Sequence, residues 1–271
     1  MKRKTNWSLV LLLALVVLVL ALGFGVYTLS AQNARGKVYE QLQETAVMPT
    51  EPPTQPPTQA AEPVTEAVTE PATEPVTERP PYVSEIDFSA LRERNPDIYA
   101  WIRIPDTDVE YPILRGAYYL DHTVDRASGL PGAIFTDEYS AEDFSGFNAV
   151  IYGHNMKNGS MFGGLKKYRD EEYLKDHREV VIFTPDAKLT YTVFAAVVYD
   201  DRMIQDTFNE AVAENRQAFL DSVAACRDMN SHVLEDVPVT PEDHIITLST
   251  CVSRQPSNRY LILAVLTNEE R

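Results

Sequence analysis

The sequence predicts a mainly β domain, a barrel or a sandwich, set behind a membrane helix and an extended linker. Three observations carry that expectation. An uncharged apolar run lies near the N-terminus, a stretch dense in Pro, Thr and Glu follows it, and the remainder holds eight short strand-like runs interrupted by one helical stretch.

The apolar run extends from Leu9 to Val26, with Leu29 just beyond, and Lys2, Arg3 and Lys4 precede it. At about 1.5 Å per residue such a run covers about 27 to 31 Å, close to the hydrocarbon thickness of a bilayer. Basic residues ahead of it, with Trp7 and Tyr27 near its ends, predict a cytoplasmic N-terminus and an extracellular remainder. Residues 1–30 are therefore expected to be a cytoplasmic tip and a single-pass anchor in the cell membrane. The competing reading is a cleaved signal peptide, but the run is longer than the usual apolar core of one, and no clean small-x-small site follows.

Residues 31–81 are expected to be an extracytoplasmic lead followed by a disordered linker. From Met48 to Pro81, Thr recurs every fourth residue at 50, 54 and 58 and again at 65, 69, 73 and 77, mostly in Thr-Glu-Pro or Thr-Gln-Pro units. Such a segment has too little apolar surface for a core, and its prolines favour extended polyproline II. Two readings stand: a stalk holding the domain off the membrane, or a tether whose length is immaterial.

Residues 82–271 are enough for one well-filled core and are expected to fold alone. They hold 18 Lys and Arg against 32 Asp and Glu, a formal net charge of −14. Nucleic acid is not expected as a partner, because its binding relies on a basic surface. Ser84 or Asp87 can cap a short helix carrying Leu91, which Asn95-Pro96 interrupts. Strand-like runs follow at Trp101 to Ile104, Val109 to Ile113, Gly132 to Thr136, Asn148 to Tyr152, Val180 to Thr184 and Leu189 to Tyr199. Between Asp206 and Arg227, Phe208, Val212, Phe219, Leu220, Val223 and Cys226 fall at helical spacing, so one long helix is expected there. The final strand pair is His244 to Cys251 and Arg259 to Leu266, joined by a polar loop from Val252 to Asn258.

That last pair draws the chemistry together. Cys251 ends one strand and Arg259 opens the next, so a thiol and a guanidinium are expected to face each other at the mouth of one sheet. A thiol attacks as its thiolate and needs a cationic or basic neighbour. Arg259 supplies charge but cannot act as a base, so a histidine is required. His154, where the apolar strand Asn148 to Tyr152 runs into Gly153 and a polar loop, is the candidate; His122, His177, His232 and His244 lie in polar surroundings expected to be surface. Two cysteines argue against a disulfide framework and against a cysteine-rich metal site. Cys226 reads as a small buried hydrophobe of the long helix. Arg254, nearer to Cys251 in sequence, is the rival to Arg259.

Thr247-Leu-Ser-Thr-Cys251, an Arg eight positions later opening a strand, and Tyr152-Gly-His-Asn-Met156 resemble the sortases, cysteine transpeptidases of Gram-positive cell walls. Asn95-Pro-Asp-Ile-Tyr-Ala-Trp-Ile102, Tyr111-Pro-Ile113, Tyr118-Tyr-Leu120, Gly132-Ala-Ile-Phe135 and Gly159-Ser-Met-Phe162 are similar to class B, over about Asp87 to Leu266. Gly116-Ala117 stands where class B members often carry an Asp-Asn pair.

The resemblance implies an eight-stranded sortase-type β-barrel with N-terminal helices and one long helix before the Cys-bearing strand. It implies catalytic roles for His154, Cys251 and Arg259, and substrate contacts at Ser249, Thr250 and Leu120, with no metal and no organic cofactor. The implied partners are secreted proteins bearing an Asn-Pro-x-Thr-type sorting motif and an amine of a peptidoglycan precursor. A pilin-polymerising sortase and a cell-wall cysteine peptidase with water as acceptor remain alternatives.

Overall fold

In the computed structural model, which describes residues 7–47 and 82–271, the eight expected strands close on one another. In chain order they are β1 (Ile98–Arg103), β2 (Glu110–Arg115), β3 (Ile134–Thr136), β4 (Asn148–Tyr152), β5 (Glu179–Phe183) and β6 (Lys188–Asp200), then, after the two-residue β7 (His232–Val233), β8 (Ile245–Val252) and β9 (Gln255–Glu270). The order around the barrel is β5-β1-β2-β3-β4-β8-β9-β6, and pairing of β5 with β6 closes it, so no member keeps a free edge along its full length. β7 adds to β6 beyond the reach of β5, at Ala195 and Ala196. Most neighbours are antiparallel; β2 with β3 and β4 with β8 are parallel.

The near-continuous apolar run of β9 has a simple cause. Tyr260, Ile262 and Ala264 pack into the main core cluster, where Ile102 and Ile113 are fully buried, whereas Leu261, Leu263 and Val265 pack into a second cluster with Phe194, Val197 and Phe219. Both faces of the strand are covered, so both sets of alternate positions are apolar. The cover on the outer face is a helix, α5 (Ala213–Ala224), whose Phe219, Leu220 and Val223 are buried.

α5 is shorter than the stretch expected between Asp206 and Arg227. After α3 (Glu171–Asp176), a separate turn, α4 (Ile204–Thr207), precedes it, and Asn209 breaks the helix between them by accepting the Ala211 amide on its side chain. Cys226 lies past the C-cap Ala225, half-buried, and burial pushes its thiol up from the usual range. The N-terminal lead-in, α2 (Phe88–Arg94), is capped by Asp87, whose carboxylate accepts the Ala90 amide at 3.0 Å, and it buries Phe88 and Leu91.

The apolar run forms the first part of α1 (Trp7–Ala46), a single helix of 40 residues. At about 1.5 Å per residue it is about 60 Å long, twice the hydrocarbon thickness of a bilayer. Among the described residues it is the one helix long and apolar enough to cross a membrane. Its second half belongs to the barrel domain: Tyr39, Leu42 and Ala46 are buried against the barrel, and the Gln43 side chain donates to the Glu110 carbonyl at 2.6 Å.

The Pro/Thr/Glu-rich segment from 48 to 81 lies outside the described residues. The chain on either side of it meets: Val47 bridges to Ile86, and the Asp87 amide donates to the Ala46 carbonyl at 2.9 Å. α1 therefore reaches the barrel directly, without passing through that segment.

Candidate active site

Strand register brings the three chemical groups together. β4 runs parallel to β8 with Tyr152 opposite Ser249, so the chain leaves both strands at the same end of the barrel, and His154 and Cys251 each lie two residues beyond that pair. β8 runs antiparallel to β9, with Cys251 opposite Arg259. Arg259 is also opposite Tyr199 of β6, which places it on an interior strand. The face of β4, β8 and β9 that α5 covers near Val265 is open at this end. There it forms a cleft of about 460 Å³ bounded by His154, Ser249, Cys251, Arg259, Leu261 and the Met203–Ile204 edge, a volume suited to a short peptide segment.

The connection between the last two strands differs from the expected loop. Pairing continues to Val252 and Gln255 around a two-residue turn at Ser253–Arg254, and Pro256 to Asn258 are extra residues relative to β8, Asn258 pairing with Asp200 of β6, before Arg259 restores the register. Proline has no amide proton to give a ladder, which suits it to such a bulge.

His154 is seated by backbone. Its Nε2 donates to the Leu120 carbonyl at 2.6 Å, which fixes the Nε2–H tautomer in the neutral ring and leaves Nδ1 as the free position for proton exchange. Gly132 lies directly beneath this contact at φ +66°; a β-carbon there would come within 2.6 Å of the Leu120 oxygen and 3.1 Å of the imidazole. Glycine is required by both conformation and space. The other four histidines are held elsewhere. His122 and His177 stack on Tyr118 and Tyr173, and His232 and His244 meet the carbonyls of Arg169 and Gly146.

The Cys251 thiol is exposed and unbonded to Cys226. Arg259 donates through one Nη to the carbonyls of Pro256 and Asn258, at 2.8 and 3.1 Å. These bonds hold the guanidinium by backbone, and no carboxylate pairs with it among the described residues. Its Nε and second Nη are thus left for a ligand. Arg254 instead occupies the exposed turn at φ +64° and does not line the cleft.

Ser249, Thr250 and Leu120 all border the cleft. The Thr250 hydroxyl donates to the Gly153 carbonyl at 2.7 Å, tying the Cys-bearing strand to the His-bearing turn. Leu120 closes a short 3₁₀ turn, Ala117–Leu120, and presents its carbonyl to His154 and an exposed side chain to solvent. Two residues that sequence reasoning did not weigh complete the site. Asn155 donates from its side chain to the Cys251 carbonyl at 2.8 Å, and its adjacency to His154 was the available signal. Asp137, directly after β3, lies buried at the cleft wall, accepting the Tyr139 and Ser140 amides and the Tyr152 hydroxyl. Burial holds its carboxyl above the usual carboxylate range despite those bonds.

Residues 102–267 match the family model described as the sortase domain. The chain is 37% identical over 169 residues to sortase B of Listeria monocytogenes, covering 59% of this chain and 65% of that protein. It is 31% identical to sortase B of Staphylococcus aureus, also over 169 residues, with 60% and 67% covered. A solved Bacillus anthracis structure described as similar to sortase B superposes with a TM-score of 0.59 at 32% identity, over 68% of this chain and 83% of that one. The chain thus spans slightly under two thirds of the Listeria protein's length. With the matched region running from β1 to β9 and holding His154, Cys251 and Arg259, this chain belongs to the sortase family, and its relatives are of the sortase B type.

Proposed function

We propose that the protein is a membrane-anchored cysteine transpeptidase of the sortase B type. In this reading it cleaves an Asn-Pro-x-Thr-type motif of secreted proteins and transfers them to a peptidoglycan amine. The observation that supports it most is the double register, parallel from β4 to β8 and antiparallel from β8 to β9, that brings an exposed thiol, a carbonyl-seated imidazole and a carboxylate-free guanidinium to one cleft.

The Cys251 thiolate attacks the threonine carbonyl carbon, and the oxygen that gains the electron pair is met by the free donors of Arg259. Collapse of this intermediate breaks the C–N bond. Protonated His154 gives its Nδ1 proton to the departing amine, leaving a thioester on Cys251. An incoming amine attacks that thioester, neutral Nδ1 takes its proton, and the thiolate departs. Asn155 and Thr250 act on the backbone that carries these groups, fixing Cys251 relative to Gly153 and His154.

The apolar part of α1, with basic residues before it and a buried, barrel-bound half after it, supports an anchor with a cytoplasmic N-terminus. Protease treatment of intact cells should then cut after Ala31; protection of the whole chain while known surface proteins are cut would contradict that topology. For the reaction, purified protein is incubated with a motif peptide and a graded series of amines. Product should shift from free acid to amide as amine concentration rises. Free acid alone at every amine concentration would point to a peptidase that uses water.

A further inference from the structure

The His154 seat has a second side. Gly132, which backs the contact between His154 and the Leu120 carbonyl, is itself held from below by α1: the Tyr39 hydroxyl donates to the Gly132 carbonyl at 2.5 Å and accepts the Val124 amide at 3.1 Å. Tyr39 is 4% exposed, its ring packs edge-on against Tyr111 at 5.7 Å, and burial pushes its phenol far above the ordinary range, which keeps the hydroxyl a neutral donor. The Ala133 amide donates to the Tyr119 carbonyl at 2.9 Å, so the Gly129 to Ala133 turn and the 3₁₀ turn ending at Leu120 form one bonded unit. A buried neutral tyrosine on the helix that continues from the apolar run therefore closes this unit opposite the imidazole.

We infer that Tyr39 is a positioning residue for His154, acting through Gly132 and the Leu120 carbonyl, so that the helix leaving the membrane is part of the frame of the active site. The inference rests on the proposed reaction for its kinetic consequence, but its structural content does not depend on it. Imidazole placement governs proton transfer, and an ångström of misplacement costs on the order of a hundredfold in rate. Loss of one buried hydroxyl, with the ring retained, should release part of that.

The test uses the full chain in detergent, with Tyr39→Phe and Gln43→Ala. The second change also removes a bond from α1 to the barrel, at Glu110, away from the His154 seat. Tyr39→Phe should lower kcat about tenfold with KM for the motif peptide unchanged, and ¹⁵N spectra should show His154 losing its single Nε2–H tautomer. Gln43→Ala should stay within about twofold of the parent and keep the tautomer. The inference is overturned if Tyr39→Phe retains both kcat and tautomer, or if the two variants lower kcat alike, since loosened docking of α1 then accounts for the loss. If no transpeptidation is found in any form while Tyr39→Phe alone disturbs the tautomer, the inference stands and the proposed reaction fails.

Discussion

Cys251 and Arg259 are direct register partners across β8 and β9, with the Pro256 to Asn258 bulge between the turn and the arginine. The bulge matters chemically because the Pro256 and Asn258 carbonyls are what hold the guanidinium. Arginine is suited to that arrangement: one nitrogen is anchored by backbone while the rest of a planar fork stays free.

Arg259→Lys should therefore lose about a hundredfold or more in kcat/KM, since removing an oxyanion donor typically costs about 10² to 10³ in rate and an ammonium cannot reproduce the fork. Arg254→Lys, in the exposed turn, should change it less than about twofold. Steady-state kinetics of both variants decide the matter. Near-normal rates for Arg259→Lys with a loss for Arg254→Lys would move the role to the turn.

The buried half of α1 makes the domain boundary a thermodynamic question. A fragment of residues 31–271 should unfold at higher temperature than one of residues 82–271, because the shorter fragment loses Tyr39 and Leu42 from the core and uncovers Ile86 and Tyr111. Removing a buried leucine alone costs about 2 to 5 kcal/mol. Equal melting temperatures by calorimetry would show that α1 contributes nothing to stability.

Because Val47 and Ile86, on either side of the 48–81 segment, bridge to each other, its length should not matter to reach. Replacing those residues by a flexible linker of about ten residues should preserve activity in membranes and leave the melting temperature within a few degrees, as closure cost changes slowly with loop length. A graded loss of surface attachment with each shortening would support the role of a stalk instead.

Asp137 adds a pH dependence. Its carboxyl titrates higher in the folded chain than in the unfolded one, chiefly through burial. The protonated form is thus favoured by folding, so this group's contribution is fully present below the ordinary carboxylate value and is lost as pH rises through the raised one. Asp137→Asn, which cannot ionise, should gain on the parent in melting temperature as pH moves from about 4 toward 7. A difference between the two proteins that stays constant over that range would contradict this.

Much of the barrel is legible in the sequence because its strands carry their environment. Alternating or continuous apolar runs marked all eight, and β9 is continuous because α5 covers its outer face. The chemical residues were legible singly; their meeting was harder to read. His154 and Cys251 converge through a parallel pairing between segments about 97 residues apart, and nothing in either strand's alternation encodes that register. The second half of α1 was hidden for another reason. Val38, Tyr39, Leu42 and Ala46 do lie at helical spacing, but they follow a long apolar run and precede a polar linker, so they look like the fading edge of one or the start of the other. Asn209 and the Pro256 bulge show the limit of periodicity, since in both places a single residue's local bonding overrides the pattern around it.

The central claim is that Cys251 carries the acyl group, and intact-protein mass spectrometry of the enzyme with an Asn-Pro-x-Thr-type peptide tests it most directly. The account predicts an adduct equal to the acyl fragment, mapped to the peptide containing Cys251, absent in Cys251→Ala and discharged by added amine. An adduct mapped to Cys226, or turnover of the peptide by Cys251→Ala, would contradict it.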